Sequence, residues 1–206
     1  MNCDAIARHY RWMELAVFGN ALEQCRTRFL PELADARRAL VLGDGDGRFL
    51  ARLLNACPKL HADYVDRSGA MLDLAVRRVG HERVKFYCTD ALTEHLPQSE
   101  YDLVSAHFFF DCFERDQLDH VIRRVVTIAP NARWIVSEFR VPDGWLALPS
   151  RMLISVMYRF FGLAARLKTR GLTDHRPLME AAGLRSFCRE ERAGGLLVSE
   201  IWAPTA

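Results

Sequence analysis

The chain has 206 residues, half of them apolar, and a formal net charge of +2. This length suits one domain with a core of its own, and the scattered arginines argue against a dedicated nucleic-acid surface. The six cysteines are widely spaced and include no CxxC pair, which argues against both a zinc site and a disulfide framework.

The predicted elements begin with a helical segment. Apolar residues recur at helical spacing over residues 4–30, with an interruption at Gly19, and we assign residues 1–36 to an N-terminal helical cap. The apolar run "RALVLG" then predicts a buried strand. A loop with three glycines and two aspartates follows it, and a helix is predicted from Arg48 onward.

Strands and helices alternate through the next part of the chain. We predict strands in 60–68, 83–91, 101–110 and 132–141, with helices at 69–80 and 115–129. Such alternation is typical of βαβ crossovers and a parallel sheet. Residues 145–170 are predicted to be a helical insertion. A helix ending at Gly183 and two closing strands, divided by Gly194–Gly195, predict an antiparallel hairpin at the end of the sheet.

The loop "GDGDG" does not have the pattern of a phosphate-binding loop. A G-x-G-x-x-G motif would need glycine at Arg48 or at Leu50, and no Gly-Lys-Ser/Thr is present. Asp44 and Asp46 would also repel a pyrophosphate at short range. The ligand should therefore carry no phosphate and should tolerate, or carry, positive charge.

S-adenosylmethionine meets those conditions because it has a sulfonium, an ammonium and a carboxylate but no phosphate. Gly45 and Gly47 could expose their backbone to its methionine portion, and the amino end of the helix from Arg48 favours a carboxylate. The alternative is an ordinary tight turn between a strand and a helix.

Two further aspartates follow the next two predicted strands. Asp66 lies about 20 residues past the glycines, where an acid reaches ribose hydroxyls. Its alternative role is a helix N-cap, for which Ser68 is the better candidate. Asp90 could accept from the amine of an adenine while the Ala91 amide donates to a ring nitrogen, although Asp90 taken alone would more often be a turn residue. The carboxyl ends of parallel strands meet in one crevice.

These motifs resemble those of the class I S-adenosylmethionine-dependent methyltransferases. "VLGDGDGRF" is similar to the glycine-rich motif of that family, "VDRSGAML" to its acidic motif, "CTDAL" to its adenine motif and "YDLVSAHFFFDCF" to its fourth-strand motif. The resemblance implies a three-layer α/β/α Rossmann-like fold with a seven-stranded, mostly parallel sheet. It implies S-adenosylmethionine as the cofactor, S-adenosylhomocysteine as its product, and donor-binding residues at Tyr10, Gly43, Asp44, Gly45, Gly47, Asp66, Arg67, Met71, Asp90, Ala91 and His107.

Three residues near the ends of the fourth and fifth predicted strands are candidates for removing a proton from the acceptor. They are His107, Asp111 and Glu138. Each has a plainer alternative: a buried structural histidine, a helix cap and a surface salt bridge, respectively. None has the neighbour pattern of a strong catalytic pair.

The N-terminal segment and the insertion are expected to determine acceptor specificity. The resemblance implies that the segment around Tyr10 closes over the donor, although the spacing favours a core position on an amphipathic helix for this side chain. The insertion at 145–170 carries aromatic and methionine residues that could line an apolar acceptor pocket, form a dimer contact or pack as core.

We therefore expect a methyltransferase that acts on a small, apolar or aromatic acceptor. An alternative is a non-catalytic methyltransferase-like protein that binds S-adenosylmethionine or S-adenosylhomocysteine, since the family usually has an acid at the place of Gly43 and no strong base is evident. An NAD-dependent oxidoreductase is disfavoured by the failed glycine spacing. So is a nucleic-acid methyltransferase, because "HFFFDCF" replaces the Asn-Pro-Pro-Tyr type of loop.

The expected location is the cytoplasm. The first residues carry charges throughout and have no apolar signal core, and the apolar stretch 152–167 contains two arginines and is short for a bilayer. Reduced thiols would suit that compartment. We expect no nucleic-acid partner, no metal and no integral membrane association, and either a monomer or a homodimer.

Overall fold

The computed structural model describes residues 18–142, 144–152, 154 and 172–205. Within them, seven strands form one sheet. The strands are β1 (Arg38–Leu42), β2 (His61–Asp66), β3 (Val84–Cys88), β4 (Leu103–His107), β5 (Arg133–Phe139), β6 (Leu184–Arg192) and β7 (Leu197–Pro204). Their order in the sheet is β3-β2-β1-β4-β5-β7-β6.

The pairing of the strands confirms the predicted topology. Strands β1 to β5 pair in parallel, and β7 pairs antiparallel with both β5 and β6. Gly194 and Gly195 lie in the turn between β6 and β7 and have φ of +67° and +88°, a backbone conformation that favours glycine. The predicted glycine turn of the closing hairpin is therefore confirmed.

Helices cover both faces of the sheet, as three layers require. Those in the described part of the chain include α1 (Ala21–Arg26), α2 (Arg48–Ala56), α3 (Gly69–Val79), α4 (Arg115–Ile128) and α5 (Arg176–Ala181). Side chains alternate along each strand. Leu103 of β4 therefore packs with α2 and α3 on one face, whereas Val104 packs with α4 and α5 on the other.

Parts of two predicted segments lie outside the described residues. Of the predicted helical cap, residues 1–17 lie outside, and α1 is the helix found in the remainder. Of the predicted insertion, residues 145–152 and 154 are helical, whereas residue 153 and residues 155–170 lie outside.

The parallel pairing places the residues that follow β1 to β5 along one edge of the sheet. Gly43 follows β1, Asp66 ends β2 and Asp90 comes soon after β3, while Asp111 and Glu138 belong to the β4 and β5 ends. Parallel α/β sheets bind their ligands at this edge.

Candidate functional site

The loop between β1 and α2 contains three glycines in the left-handed region. Gly43, Gly45 and Gly47 have φ of +59°, +66° and +75°. A Cβ on Gly43 would lie 2.5 Å from the Phe109 ring, and one on Gly47 would lie 2.9 Å from the Cβ of Ala75. Contacts within the protein therefore require glycine at positions 43 and 47.

Gly45 is the glycine at which the backbone stays open. A Cβ placed there would meet the Met71 sulfur at 3.9 Å, which is an ordinary contact distance. The buried Tyr64 hydroxyl donates a 2.5 Å hydrogen bond to the Gly45 carbonyl. The Gly43 amide donates to the Val65 carbonyl at 2.9 Å. Hydrogen bonds to Tyr64 and Val65 of β2 thus fix the loop, and its backbone is open at Gly45.

The two aspartates of the loop are engaged by the protein itself. The Asp44 carboxylate accepts from the Leu50 amide at 2.9 Å. Burial raises the pKa of Asp44 to about 7, although the Leu50 amide and the Arg26 charge act in the opposite direction. Asp46 forms ion pairs with Arg48 and Arg78, each at 2.8 Å. Sequence reasoning grouped Asp44 with the donor-binding residues, and the structure places its carboxylate on the α2 backbone.

Asp66 and Ser68 organise the start of α3. The Ser68 side chain caps the helix by accepting from the Met71 amide at 3.3 Å, as predicted. Asp66 accepts from the Ser68 amide at 2.8 Å, so its carboxylate is partly engaged in this turn. Asp66 nevertheless remains partly exposed at the carboxyl end of β2, next to the glycine loop.

Asp90 and Arg67 form an ion pair between the β2 and β3 ends, at 3.4 Å. Asp90 also accepts from the Leu92 amide at 2.9 Å. The Ala91 side chain is buried, and its carbonyl accepts from Arg124 at 2.6 Å. The structure therefore brings together Asp66, Arg67 and Asp90, three of the residues that sequence reasoning selected, on the β2–β3 side of the edge.

His107 does not lie with them. Its ring packs on Phe49 of α2 at 4.1 Å, and its Nδ1 lies 2.9 Å from the Ser137 hydroxyl. Burial, together with the positive charge of Arg26, holds the pKa of His107 well below its ordinary value. The side chain is therefore a neutral, buried group on the α2 face of the sheet.

Asp111 and Glu138 are close to each other at the ends of β4 and β5. Glu138 accepts from the amides of Phe109 and Phe110, at 2.9 and 2.7 Å, and so holds the turn that follows β4. Burial raises the pKa of Glu138 well above its ordinary value, and the neighbouring Asp111 raises it further. Burial raises the pKa of Asp111 to about 7, while a hydrogen bond from the Cys112 thiol lowers it.

This pair of acids can hold one proton at neutral pH, because two adjacent buried carboxyls resist carrying two negative charges. Glu138 is only 2% exposed, whereas Asp111 is partly exposed. The partly exposed Asp111 is therefore the acid of the pair that a ligand can reach.

Two functional candidates were missed by sequence reasoning. Tyr64 reads as a core residue of a strand, and nothing in its spacing indicates a bond to Gly45. Phe109 is one of three consecutive phenylalanines, and periodicity cannot tell which of them faces the crevice. A loop glycine next to an aromatic residue distant in sequence becomes visible only in the fold.

Tyr10 lies outside the described residues, as does most of the predicted insertion. Trp145, Leu148 and Met152 belong to the described part of the insertion and are 84%, 69% and 64% exposed. They recur at helical spacing, so that they form one apolar stripe beyond the end of β5. Across the described ranges no cluster of three or more His, Cys, Asp or Glu side chains is placed to hold a metal, and no helix has the length and apolarity to cross a bilayer.

The residues at this edge fit an adenosyl methyl donor. The open backbone at Gly45, the carboxylate at the end of β2 and the one after β3 match the backbone contact, the ribose hydroxyls and the adenine amine that such a ligand needs. The loop acids, which would repel a phosphate, are bonded to the protein. These backbone and carboxylate groups therefore suit a nucleoside that carries no phosphate.

Comparisons with known proteins support the resemblance to methyltransferases. Residues 39–129 match the family model described as a methyltransferase domain. No curated protein sequence matches the chain significantly.

Solved structures share the fold at low sequence identity. N-methyltransferase NodS from Bradyrhizobium japonicum, in complex with S-adenosylhomocysteine, is similar with a TM-score of 0.65 and 15% identity over 93% of this chain and 91% of that one. Mitomycin 7-O-methyltransferase MmcR gives a TM-score of 0.71 and 16% identity over 100% of this chain and 61% of that one.

An O-methyltransferase family 2 protein from Planctomyces limnophilus, in complex with apigenin, gives a TM-score of 0.71 and 16% identity over 96% of this chain and 62% of that one. This chain thus spans less than two thirds of the two O-methyltransferases. Residues 39–129 thus match a methyltransferase domain, and the chain shares the fold of S-adenosylmethionine-dependent methyltransferases.

Proposed function

We propose that the protein transfers a methyl group to an oxygen or nitrogen atom of a small, apolar or aromatic acceptor. The observation that carries the proposal is the pair Asp111 and Glu138 at the acceptor side of the crevice. When bound, S-adenosylmethionine supplies an electrophilic methyl group. The protein then has to align the acceptor, exclude water and take up a proton.

Asp111 is the proposed proton acceptor. Its pKa of about 7 means that a large fraction is ionised at neutral pH while the carboxylate is still basic enough to accept a proton. Hydroxyl and amine acceptors lose a proton on methylation, which is why a base is useful for them. The similar solved structures include an N-methyltransferase and a 7-O-methyltransferase, which supports this choice of acceptor atoms.

Glu138 is proposed to position Asp111 rather than to act on the acceptor itself. Its Oε1 holds the two amides that precede Asp111, so it determines where the turn after β4 lies. We assign His107 a structural role, because a buried neutral imidazole on the α2 face does not face the same side as Asp111.

The surroundings of Asp111 support an apolar acceptor. Phe109, Phe110 and Phe113 surround this turn, with rings 5.0 to 6.4 Å apart. Trp145, Leu148 and Met152 add exposed apolar area beyond β5. One of the similar solved structures, the O-methyltransferase family 2 protein, contains the aromatic compound apigenin. We therefore propose phenols, other hydroxylated rings and aromatic amines as the acceptor class.

On the donor side we propose that Gly45 contacts the ligand through its backbone and that Asp66 accepts hydrogen bonds from the ribose hydroxyls. Asp90 would accept from the adenine amine, and the Ala91 amide would donate to a ring nitrogen. Arg67 holds Asp90 in place through the ion pair, and Met71 lies below Gly45. We further propose residues 1–206 as one methyltransferase domain in the cytoplasm, an assignment supported by the free thiols of Cys25, Cys57, Cys88, Cys112 and Cys188.

The test combines binding with turnover. Titration calorimetry of the purified chain should show S-adenosylhomocysteine binding at micromolar strength or tighter. Labelled S-adenosylmethionine should then transfer its methyl group to some members of a panel of phenols and aromatic amines, and not to matched compounds whose hydroxyl or amine is already methylated. Failure of the wild-type chain to bind either adenosyl compound would overturn the proposal.

A further inference from the structure

The Phe109 ring lies against the first glycine of the loop. A Cβ on Gly43 would be 2.5, 3.1 and 3.4 Å from three carbon atoms of this ring, so the ring is in direct contact with the loop backbone. Gly43 follows β1 and Phe109 follows β4, and these strands are neighbours in the sheet. The contact therefore lies between the donor-side carboxylates, Asp66 and Asp90, and the acid pair at β4 and β5.

The turn that carries Phe109 is rigidly held. Glu138 accepts from the Phe109 and Phe110 amides at 2.9 and 2.7 Å. Phe108 has φ of +52°, an uncommon conformation for a side chain of this size. Phe113 packs edge-on against Phe109 with ring centroids 5.0 Å apart.

Core packing accounts for two of the three phenylalanines. Phe108 and Phe110 are 9% and 2% exposed and belong to hydrophobic clusters on opposite faces of the sheet. Phe109 is partly exposed, although it is tied down by the same turn. It is thus a fixed aromatic ring with a surface left for a ligand, beside the loop expected to bind the methionine end.

We infer that the Phe109 ring contacts the positively charged sulfonium of the methyl donor and so makes the protein prefer the donor to its neutral product. An aromatic ring attracts a cation through its electron-rich face, and the attraction grows where water is excluded. S-adenosylhomocysteine has a neutral thioether at this atom, so it gains nothing from the ring. This inference rests on the proposed function.

The experiment compares the two ligands rather than the reaction. Titration calorimetry measures the Kd of S-adenosylmethionine and of S-adenosylhomocysteine for the wild type, F109L and F109Y. We expect F109L to weaken S-adenosylmethionine by about 5- to 30-fold more than S-adenosylhomocysteine, and F109Y to keep the wild-type ratio. F113L is the matched control, since it alters the neighbouring ring, and its ratio should stay that of the wild type.

A second measurement covers the case in which F109L does not fold. Phenylalanine at position 109 is replaced by fluorinated phenylalanines of nearly the same shape, whose ring face attracts cations progressively less. The Kd of S-adenosylhomocysteine divided by the Kd of S-adenosylmethionine should then fall stepwise with fluorination. An unchanged ratio, or equal weakening of both ligands, overturns the inference while leaving the methyltransferase proposal intact. A wild type that binds neither ligand overturns the proposed function instead.

Discussion

The carboxylates on the two sides of the crevice have different hydrogen-bond and ion-pair partners. On the donor side, Asp46 is paired with Arg48 and Arg78, and Asp90 is paired with Arg67. On the acceptor side, Asp111 and Glu138 are bonded to a thiol and to backbone amides, and burial raises the pKa of both. The arginines fix Asp46 and Asp90 in place, so that their oxygens can accept from a ligand, whereas the raised pKa values of Asp111 and Glu138 suit proton exchange.

This contrast implies a division of labour between binding and chemistry. Removing a donor-side acid should weaken ligand binding, and removing Asp111 should slow methyl transfer without weakening the donor. The following predictions test that division, beginning with the one for which we expect the largest effect.

Replacement of Asp111 by asparagine should lower kcat by about 100- to 10,000-fold, the usual contribution of a general base. The Kd of S-adenosylhomocysteine should change by less than about twofold, because the substitution is nearly isosteric and lies on the acceptor side. Initial rates with labelled donor and calorimetry on the same preparation measure the two quantities.

The matched control for D111N is E138Q. Glutamine has nearly the shape of Glu138 and keeps an oxygen that can accept from the Phe109 and Phe110 amides. E138Q should therefore retain most of the activity, whereas E138A should lose activity because the turn is released. If E138Q is inactive and D111N active, the roles assigned to the two acids are reversed.

Replacement of Asp66 by alanine should weaken S-adenosylhomocysteine by about 10- to 100-fold, since hydrogen bonds to a charged group contribute about 1.5–3 kcal/mol. D66N keeps an acceptor for the Ser68 amide, so the start of α3 should stay intact in this variant. Comparing D66N with D66A therefore distinguishes a lost ligand contact from a damaged helix start. D73N, an exposed substitution on the same helix, should bind like the wild type. Unaltered affinity in D66A would remove the ribose contact from the donor site.

The pH dependence of kcat/KM should report Asp111. A base is active when ionised, so the rate should rise about tenfold per unit below pH 7 and level off above it, in accordance with a pKa of about 7. The Kd of S-adenosylhomocysteine measured from pH 6 to 8 serves as the comparison, because it reports binding without proton transfer to Asp111. A rate that falls over this range would indicate an acid, not a base.

Replacement of Asp44 by asparagine should stabilise the protein at alkaline pH. The folded-state pKa of Asp44, about 7, exceeds that of the unfolded chain, about 3.9, so the wild type loses stability as the pH rises from 4 to 7. Asparagine can still accept from Leu50 and carries no charge. The Tm of D44N relative to wild type should therefore rise by several degrees between pH 5 and pH 8, which corresponds to about 2 kcal/mol.

Thermal unfolding followed by circular dichroism measures this difference, and D73N is the control without a buried charge. Contributions from Asp111 and Glu138 are common to both proteins and cancel. A constant difference between D44N and wild type across the pH range would show that Asp44 is not protonated in the folded protein.

The amino-acid sequence by itself determined the order of the elements and the positions of several polar residues at the strand ends. Alternating apolar runs and helical patterns predict the parallel strands, and Gly194–Gly195 predicts the closing hairpin. The cap at Ser68 and the acids at Asp66 and Asp90 were likewise predictable. All of these features follow from local spacing, because a strand end, a turn or a cap is specified by a few neighbouring residues.

The tertiary structure alone decided what the loop and the acceptor-side residues do. Gly43 and Gly47 are glycines because Phe109 and Ala75 pack against them, and the Asp44 carboxylate lies on α2. His107 and Glu138, both plausible bases from sequence, lie on opposite faces of the sheet. Burial and the approach of residues far apart in the chain set these contacts and pKa values, and neither is encoded in local spacing.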